Sequence, residues 1–556
     1  MSNLAAPADT SNNVHNEWER IAARRIPQQL HTISKSSLAT HLSTVLFKSQ
    51  NSSIQVLQGI CELLKSEISS NVRTELLRSN ELSNNVTNPS QIGDLLLLQL
   101  LSNIQHVMVK PSNNNTLAQL MHLDKEQCEK ILSGLNDIDE LHIESLHLEG
   151  ITMESGVITE ILNKTKTLRS LHISGDVAKE VLLYLGSPKG QSLQLQGLYL
   201  TSCDVTDNEV VSGILGSTND IIQLGSSICN ENKEENIIME GLSSLLSLTV
   251  KSPHLTLCGS LILLHYLPKL QKFDFTSWNS SVSDSLLFLK KISPKNDNFQ
   301  LKSMDILQLS PGVLETLGDL CPDLHHISMD CTPNSPTDMN GLSKFKNLSS
   351  LKLRMFSEEL ILLAVNTIGP NLNKLVIEFE EYSHKQISWS CIQQIQEFCP
   401  NLEFLKIRNA DISDGVAKHS GLRYTIDISK DQYFPQLRYL ALDNVIIQPK
   451  LLPGIIVGNH ELRFVELNLH KSNVTDEIFQ NLMKNNNFNK LDSISFGSSK
   501  ITEKTITSLL SLQKLRKMTL CCASTTSISD EKYSMLQEKL VKGNYQCILE
   551  NILTES

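Results

Sequence analysis

Long apolar runs are missing from this 556-residue sequence. The richest one, residues 95–101, is interrupted by Gln99 and is far shorter than the roughly 18 to 20 residues that a helix needs to cross a membrane. Residues 1–18 are polar and lack the basic segment followed by an apolar segment that marks a secretory signal. We therefore expect no membrane association and no secretion, with the cytoplasm as the compartment and the nucleus as an alternative.

Paired metal ligands are also missing. None of the twelve cysteines belongs to a Cys-x-x-Cys pair or lies near histidines with the spacing of a zinc site. The adjacent histidines His325 and His326 would point to opposite faces of a strand. Without a secretory signal, the cysteines are expected to remain thiols. The sequence thus predicts no metal site and no disulfide framework.

Catalytic signatures are missing as well. The chain has no Gly-x-x-x-x-Gly-Lys phosphate loop, no Gly-x-Ser-x-Gly elbow, no His-Glu-x-x-His motif and no dinucleotide-binding fingerprint. Its formal net charge is -11, whereas binding to nucleic acid normally depends on a concentrated basic surface. We expect neither an enzyme nor a nucleic-acid-binding protein, and we expect no cofactor.

What the sequence does contain is a motif of the form Leu-x-x-Leu-x-Leu, in which Ile, Val, Met or Phe can replace Leu. We call its first apolar position the anchor. The anchors are Ile143, Leu168, Leu195, Ile221, Leu245, Leu270, Leu301, Leu324, Leu348, Leu372, Leu402, Leu437, Leu462, Leu491 and Leu515. Successive anchors lie 23 to 35 residues apart, at or near the roughly 20 to 29 residues of leucine-rich repeats. Each unit should supply one strand and one return helix.

Two further patterns accompany the anchors. A proline lies two residues before the anchor in five units, where it should end the preceding helix: Pro268, Pro322, Pro370, Pro400 and Pro435. After the strand, a β-branched residue, a hydroxyl and an acid recur at residues 205–207, 282–284, 412–414, 474–476, 501–503 and 528–530. These triplets predict helix starts, because the hydroxyl can cap the first turn and the acid suits its positive end. Thr206 and Glu209 have the spacing of a capping box.

Some units also contain a cysteine at a repeat position. Residues 195–207 include Cys203, and Cys321 and Cys399 each precede a Pro-x-Leu segment. These units resemble the cysteine-containing leucine-rich repeats of F-box substrate receptors and their relatives. The resemblance implies an α/β fold, a leucine-rich repeat solenoid shaped as a curved horseshoe with parallel strands on its concave face and an α-helical N-terminal cap. It also implies a substrate-recognition role in a ubiquitin ligase.

The predicted domains follow from where the repeat begins and ends. Residues 1–15 are expected to be disordered, 16–137 to form a helical N-terminal region or cap, 138–530 to form the solenoid of about fifteen repeats, and 531–556 to form a C-terminal helical cap. Within the N-terminal region we predict helices over 17–25, 38–46, 54–68 and 95–106.

The N-terminal region has two interpretations. It could simply cover the first apolar layer of the solenoid. It could instead bind a ubiquitin-ligase adaptor, since Leu57 and Cys61 resemble the Leu-x-x-x-Cys of elongin-binding boxes, although Lys65 stands where that pattern has an aliphatic residue. An F-box would open with Leu-Pro, and residues 25–30 match this only faintly.

Strand alternation selects the side chains of the concave face, because every second residue points into the core. Basic and aromatic residues concentrate there in neighbouring repeats: Lys352, Arg354, Lys374, Phe404, Lys406, Arg408, Tyr439 and Phe464. Because aromatic residues and arginine are enriched at interaction hot spots, we predict that this set binds a protein partner, an acidic or phosphorylated segment. The alternative is that lysine and arginine merely solvate the sheet.

The sequence thus predicts a non-enzymatic protein-protein interaction module. It is either the substrate-recognition subunit of a ubiquitin ligase complex or a plain interaction scaffold with no ligase role. The two differ in whether residues 16–137 bind a ligase adaptor.

Overall fold

The structure is a computed structural model, and it describes most of the repeat region. The described residues are 54–67, 73, 76–77, 89–102, 104–109, 121–136, 138–216, 242–276, 282–292, 299–306, 309, 312–330, 339–381, 385–414, 434–469, 475–485, 488–497, 502–512, 514–522, 534–535, 538 and 548–553. The chain divides into two compact units, an N-terminal unit (Met1–Asn296) and a C-terminal unit (Asp297–Ser556). Each unit is described by itself.

The N-terminal unit contains a parallel sheet of short strands. Its strands are β1 (His106–Val109), β2 (Met121–His122), β3 (Ser145–Leu148), β4 (Ile151–Thr152), β5 (Ser170–Ser174), β6 (Gly197–Thr201), β7 (Ser247–Lys251) and β8 (Lys272–Thr276). The strands β1, β3, β5, β6, β7 and β8 pair in that order, all in parallel. The strands β2 and β4 form a separate parallel pair.

Helices connect these strands. They are α1 (Ile54–Glu67), α2 (Pro89–Leu101), α3 (Lys125–Asn136), α4 (Val157–Lys164), α5 (Val177–Leu185), α6 (Pro188–Gln191), α7 (Asp207–Leu215), α8 (Leu257–Tyr266) and α9 (Val282–Ile292). Parallel strands require such crossovers, and here each described crossover between sheet strands runs through at least one helix. Within the described residues, none of the helices has both the length and the apolar character that a membrane span requires.

The C-terminal unit repeats the same plan. Its strands are β9 (Ser303–Ile306), β10 (His326–Asp330), β11 (Ser350–Arg354), β12 (Lys374–Glu378), β13 (Lys385–Ser388), β14 (Phe404–Arg408), β15 (Ala410–Ser413), β16 (Tyr439–Ile447), β17 (Phe464–Leu469), β18 (Ser493–Gly497), β19 (Lys517–Cys522) and β20 (Ile548–Leu553). The main ladder runs β9, β10, β11, β12, β14, β16, β17, β18, β19, β20, all in parallel. A second short ladder joins β13, β15 and the end of β16.

The helices of this unit are α10 (Val313–Leu320), α11 (Glu358–Ile368), α12 (Trp389–Phe398), α13 (Leu452–Ile456), α14 (Asp476–Asn485) and α15 (Glu503–Leu510), with 3-10 turns at Asn340–Lys344 and Gly369–Asn371. The alternation of short parallel strands and return helices in both units confirms the predicted fold class, an α/β leucine-rich repeat solenoid.

The anchors fix the positions of the strands. In fourteen of the fifteen predicted units a strand begins two residues after the anchor. The motif leucines form the core: Leu402, Leu405 and Ile407 are all fully buried, as are Leu348, Leu351 and Leu353. Burial of one leucine side chain contributes roughly 1.5 to 3 kcal/mol. The repeated leucines therefore account for the main stabilisation of each layer.

Two departures from the predicted repeat count are instructive. The anchor Ile221 lies outside the described residues, and β6 and β7, which flank it in sequence, pair directly with each other. That pairing leaves no place in the ladder for a strand between them. Conversely, Ile104 acts as an anchor that the sequence reading did not count, since β1 begins two residues after it and Val107 and Val109 are buried.

The predicted proline position belongs to a tight turn. The amide of Leu324 donates to the carbonyl of Cys321 at 3.3 Å, and the amide of Leu402 donates to Cys399 at 3.2 Å. The proline therefore occupies the second position of a four-residue turn that delivers the chain to the anchor, a position that its fixed φ favours. This places Cys321 and Cys399 at the first turn position, where both are fully buried.

Three of the six predicted helix starts are confirmed. Helix α7 begins at Asp207 with a complete capping box between Thr206 and Glu209, and α14 and α15 begin at Asp476 and Glu503. Helix α9 begins two residues earlier than predicted, at Val282. Residues 412–413 belong to β15 instead, because this repeat extends its sheet with a second ladder, and residues 528–530 lie outside the described residues.

The acids of these helix starts also bond to the next repeat. Asp207 accepts hydrogen bonds from the amides of Thr256 at 2.9 Å and of Gly259 at 3.3 Å, at the start of α8. Glu358 accepts from the amide of Ser388 at 2.8 Å in the same way. Each such carboxylate therefore satisfies donors that the start of the following helix leaves unpaired, and it links adjacent repeats.

The first strand of the N-terminal sheet is closed by a side chain. The amide of Met108 donates to Oε1 of Gln99 at 2.8 Å, and Nε2 of Gln99 donates to the carbonyl of Met108 at 2.9 Å. Gln99 is fully buried and also donates to the carbonyl of Leu77 at 2.8 Å. Within the described residues β1 pairs with β3, and the amide group of Gln99 takes the place of a second neighbouring strand, which supports a capping role for α2.

The two terminal segments differ from the prediction in one respect each. The predicted helix over 54–68 is present as α1, but the segment predicted as helix over 95–106 ends at Leu101 and is followed by β1. The predicted C-terminal cap contains the strand β20, which pairs with β19. The predicted helices over 17–25 and 38–46 and the predicted disordered residues 1–15 lie outside the described residues.

Candidate functional site

The eight predicted binding residues lie side by side on one face of the C-terminal sheet. The strands β11, β12, β14, β16 and β17 are aligned without a shift across this region, so their side chains form three rows. The first row is Ser350, Lys374, Phe404, Tyr439 and Phe464; the second is Lys352, Val376, Lys406, Ala441 and Glu466; the third is Arg354, Glu378, Arg408, Asp443 and Asn468. We call this surface, opposite the buried leucines, the open face.

Exposure agrees with the predicted register. The neighbours of these residues along each strand, such as Leu405 and Ile407, are fully buried, whereas the predicted residues are half-buried or exposed. Phe464 has 41% of its surface exposed, which is unusual for a large apolar side chain. The sequence therefore assigned the strand faces correctly, and a shift of one residue would have turned every one of these side chains inward.

An aromatic row (Phe404, Tyr439, Phe464) follows the start of the strands. The rings of Phe404 and Tyr439 stack with centroids 4.2 Å apart and an interplanar angle of 8°, and Tyr439 and Phe464 lie 6.1 Å apart at 34°. Lys374 places its Nζ 4.7 Å from the centroid of Phe404 at the end of the row. Burial, aided by the hydrogen-bonded carboxylate of Glu466, raises the pKa of Tyr439, so its hydroxyl stays protonated.

The third row, which we call the charged row, alternates acidic and basic side chains. Arg408 contacts Glu378 on one side and Asp443 on the other, each at 3.2 Å. Arg354 pairs with Asp330 on β10, Lys352 pairs with Glu378 at 2.5 Å, and Lys406 pairs with Asp443 at 3.6 Å. Burial tends to raise the pKa of Glu378, but hydrogen bonds from Lys352 and Arg408 outweigh it and lower the pKa.

The expectation of a basic patch therefore needs correction. Four of the five predicted cations are ion-paired with carboxylates from neighbouring strands, and Lys374 is the exception among them. An acidic partner would have to replace carboxylates that are already positioned at the other four. The sequence did not predict these ion pairs, because they depend on which repeats are adjacent in the sheet.

Left-handed residues follow the third row on three of these strands. Met355, Asn409 and Asn444 directly follow Arg354, Arg408 and Asp443, and their φ angles are 64°, 58° and 54°. Asn409 donates from Nδ2 to the carbonyl of Phe379 at 2.8 Å, and Asn444 donates to Oδ1 of Asn409 at 2.8 Å. Asparagine tolerates this conformation better than most residues, and the two linked amides hold the ends of the charged row at a fixed position.

The N-terminal sheet has a second surface with stacked aromatic side chains, which was not predicted from the sequence. His147, His172 and Tyr199 occupy aligned positions on β3, β5 and β6. Their rings stack with centroid separations of 4.7 and 3.8 Å and interplanar angles of 17° and 16°, and we call these three residues the histidine stack. Each lies four residues after its anchor, so comparing that one position across repeats would have found the stack.

The candidate adaptor box faces the interior of the chain. In α1, Leu57 is fully buried and Cys61 is 2% exposed. The thiol of Cys61 lies 3.6 Å from the carbonyl of Leu98 on α2, and the hydroxyl of Ser102 lies 3.4 Å from its sulfur. A partner that recognises these two side chains would have to displace α2, so this helix does not present the box as the resemblance requires.

The cysteines and histidines show no arrangement for chemistry within the described residues. Burial raises the pKa of Cys203 to about 11 and the pKa values of Cys321 and Cys399 to about 12, which disfavours the nucleophilic thiolate. All three are buried. His325 is half-buried, His326 is exposed, and their ring centroids lie 6.4 Å apart. No group of three His, Cys, Asp or Glu side chains in the described part could hold a metal ion.

Similarity to known proteins is found among solved structures. No protein-family model and no curated protein matches the sequence. Among solved structures, the chain is similar to the complex of Rad7 and Elc1 in yeast, with 13% identity, 90% of this chain and 96% of that chain covered, and a TM-score of 0.34. It is similar to the mouse RP105/MD-1 complex, with 14% identity, 82% and 84% covered, and a TM-score of 0.32. It is also similar to an internalin (InlF) from Listeria monocytogenes, with 14% identity, 75% and 82% covered, and a TM-score of 0.29.

Proposed function

We propose that this chain is a non-enzymatic protein-binding module whose main contact surface is the open face of the C-terminal sheet. The observation that supports this most strongly is the aromatic row beside Lys374. Exposed phenylalanine rings lower the solubility of a protein that has no use for them, whereas aromatic anchors dominate protein interfaces. A surface of this composition fits a protein partner, and it offers no group suited to catalysis.

The geometry of the row favours tight contact. Phe404 and Tyr439 hold each other in position by stacking, so few side-chain rotations remain to be restricted when a partner binds. Aromatic side chains can each bury about 150 to 250 Å². An extended segment crossing the strands would place apolar side chains against these rings and would find the charged row alongside.

The partner chemistry we propose follows from which cation is unpaired. Lys374 has no carboxylate within ion-pair distance among the described residues, since its ammonium group lies over the ring of Phe404. The acidic or phosphorylated group of a partner would bind there more readily than at Arg354 or Arg408, whose charges are already balanced. The proposed partner segment is therefore mainly apolar at the aromatic row, with an acidic residue near Lys374.

A role as plain scaffold is favoured over a ligase receptor by the buried position of Leu57 and Cys61. A receptor role would require an adaptor surface elsewhere in residues 16–137. The two roles separate in one purification from cytoplasmic extract, the compartment we propose for the protein. Ligase adaptor subunits that accompany the full-length chain in stoichiometric amounts would support the receptor, and a partner recovered without them would support the scaffold.

The proposed surface is tested by site-specific crosslinking. A photoreactive phenylalanine analogue is introduced at Phe464, and the matched control carries it at Leu183, which is 80% exposed on α5. We expect a discrete crosslinked partner from position 464 and none from position 183. The same partner crosslinking from position 183 with equal yield, or none from position 464, would contradict the proposal.

A further inference from the structure

The N-terminal sheet also carries a lysine in an unusual position. Lys272 begins β8, two strands away from β6, yet its Nζ lies 5.5 Å from the ring centroid of Tyr199 on β6. In the aligned row, Gly197, Ser247 and Lys272 are direct neighbours. The side chain of Lys272 therefore extends across β7 at Ser247 to reach the ring.

Gly197 makes room for this arrangement. A Cβ atom at that position would lie 2.9 Å from Cε2 of Tyr199, closer than such atoms normally approach. The ring of Tyr199 therefore leans over the glycine and towards the row that contains Ser247 and Lys272. Because Gly197 has no side chain, Tyr199 at the end of the histidine stack and Lys272 can meet above β7.

Two hydroxyl groups lie on β7 at the crossing. Ser247 and Thr249 alternate with the buried residues Leu248 and Val250. Both side chains therefore lie on the face of the N-terminal sheet that also carries Tyr199 and Lys272. Their oxygens are shielded from solvent and have no hydrogen-bond partner within the described part of the chain. Thr249 is only 5% exposed. A shielded hydroxyl without a partner destabilises a protein by about 1 to 3 kcal/mol, so two adjacent ones point to a missing acceptor.

Charged groups of both signs lie near the two hydroxyls, and Asp274 is aligned with Thr249 on the adjacent strand β8. The neighbouring Lys251 pairs with Asp274 at 3.4 Å, and Glu149 pairs with His147 at 3.1 Å. Lys272, by contrast, has no carboxylate within ion-pair distance among the described residues. Burial, followed by the charges of His147 and Lys272, lowers the pKa of His172 to about 4, so this imidazole is neutral at physiological pH.

We propose that Lys272, Ser247 and Thr249 form a binding site for an oxyanion. The oxyanion is a carboxylate or phosphate group on a protein segment that crosses this face of the N-terminal sheet. Lys272 turns away from the ring of Tyr199 and uncovers the two hydroxyls, which then donate hydrogen bonds to the anion while the ammonium group balances its charge. Free energy lost by leaving the hydroxyls unpaired is recovered when the acceptor arrives. This inference rests on the proposed function, since it names the chemistry that a protein partner presents to this unit.

The first test needs no partner. Inorganic phosphate and acetate are titrated into the full chain by calorimetry, with Lys272→Met compared against the matched control Lys251→Met, whose lysine is already ion-paired. Phosphate should bind about tenfold more weakly, or not measurably, to the Lys272 variant, because one charge-assisted hydrogen bond is lost. The Lys251 variant should bind as the unmodified chain does. No binding of either anion to the unmodified chain, or equal losses in both variants, would overturn the site.

A second variant separates a binding role from a structural one. Thr249→Val keeps the shape and strand preference of the side chain but removes its hydroxyl. We expect a higher melting temperature in the absence of ligand and weaker phosphate binding. A lower melting temperature with unchanged phosphate binding would mean that the hydroxyl already has a partner in the folded chain, and the proposal would be wrong.

The source of the anion is identified with three peptides of one sequence that differ at a single position, which carries phosphoserine, glutamate or alanine. Binding of the phosphoserine or the glutamate peptide that depends on Lys272 supports the site and names its ligand, whereas equal binding of all three contradicts it. The result is independent of the aromatic row, because these peptides and inorganic phosphate can bind or fail to bind whether or not a partner crosslinks at Phe464.

Discussion

Asp476, the first residue of α14, hydrogen-bonds to the residue that caps the next helix of the chain. Its Oδ1 accepts from the amide of Thr502 at 2.8 Å and from the hydroxyl of Thr505 at 2.6 Å. The same arrangement links Asp207 to Thr256 and Glu358 to Ser388. A recurring acid at the helix start thus joins successive repeats through their exposed backbone amides.

Replacing this acid should destabilise the chain. Asp476→Ala removes the acceptor of three hydrogen bonds, from the amide and hydroxyl of Thr502 and from the hydroxyl of Thr505, so we expect a loss of about 1 to 2 kcal/mol in unfolding free energy. The matched control is Glu477→Ala, because Glu477 is exposed and adjacent. Urea unfolding followed by circular dichroism checks the difference. Equal effects of the two substitutions would show that the link between repeats contributes nothing.

The contribution of Asp476 should depend on pH in one direction. Burial tends to raise its pKa, but the hydrogen bonds from Thr502 and Thr505 outweigh it and lower the pKa below its ordinary value. The folded state therefore favours the ionised form, and its stabilisation is fully present above the unfolded pKa and is lost as pH falls through the folded pKa. The difference in melting temperature between the unmodified chain and Asp476→Ala should persist from pH 7 to pH 5 and vanish in strong acid. A constant difference at all pH values would contradict this.

The sheet edge depends on Gln99. Gln99→Leu keeps the volume but leaves the amide and carbonyl of Met108 and the carbonyl of Leu77 without partners, and each costs about 1 to 3 kcal/mol if it stays buried. We expect strong destabilisation and faster hydrogen exchange at Met108. The exposed neighbour Gln105 provides the control, and Gln105→Leu should change neither quantity.

A single repeat leucine should affect more than its own repeat. Leu405 is fully buried, and a charge placed there has no partner, so Leu405→Asp should cost several kcal/mol and open the adjoining repeats to proteolysis. Leu183→Asp is the matched control, because Leu183 is 80% exposed. Limited proteolysis with mass spectrometry locates the cleavages. Cleavage confined to residues 402–414 would show that the repeats are energetically independent.

Whether a feature of the fold or of the candidate site could be predicted from the sequence depends on how far apart in the sequence its interacting residues lie. The strands follow from local spacing, and Leu402 and its fellow anchors placed them correctly because the leucine period reflects burial directly. The strand faces of Lys406 and Arg408 followed from alternation alone. The extra ladder of β13 and β15 was not predictable in this way, since residues 412–414 have the pattern of an ordinary helix start.

Contacts between side chains of different repeats could not be predicted from the spacing of the anchors. Whether Arg408 is free or paired depends on Glu378 and Asp443, which lie 30 and 35 residues away along the sequence but on the adjacent strands. The same is true of the histidine stack, whose members His147, His172 and Tyr199 belong to three repeats. The residue types on the open face were therefore predictable, whereas their electrostatic balance was not.

The paired state of Arg408 has a measurable consequence. Arg408→Glu would place a carboxylate between Glu378 and Asp443, so we expect a loss of roughly 1 kcal/mol, reduced for the partial exposure of the site and smaller at high salt. Arg438→Glu is the control, because Arg438 contacts one exposed carboxylate, that of Glu403. Thermal unfolding at low and high salt distinguishes them. A larger loss for Arg438→Glu would mean that the charged row does not hold Arg408 as the structure shows.

The most direct measurement for the proposed function is the dissociation constant of the crosslinked partner for three versions of the full chain. They are the unmodified chain, the double variant Phe404→Ala with Phe464→Ala, and the control Phe288→Ala, whose phenylalanine is 40% exposed on α9. If the aromatic row is the contact surface, the double variant should bind at least about tenfold more weakly, because truncating interface anchors commonly costs 2 kcal/mol or more. The control should bind as the unmodified chain does. Equal dissociation constants for all three chains would contradict the assignment of the open face as the binding surface.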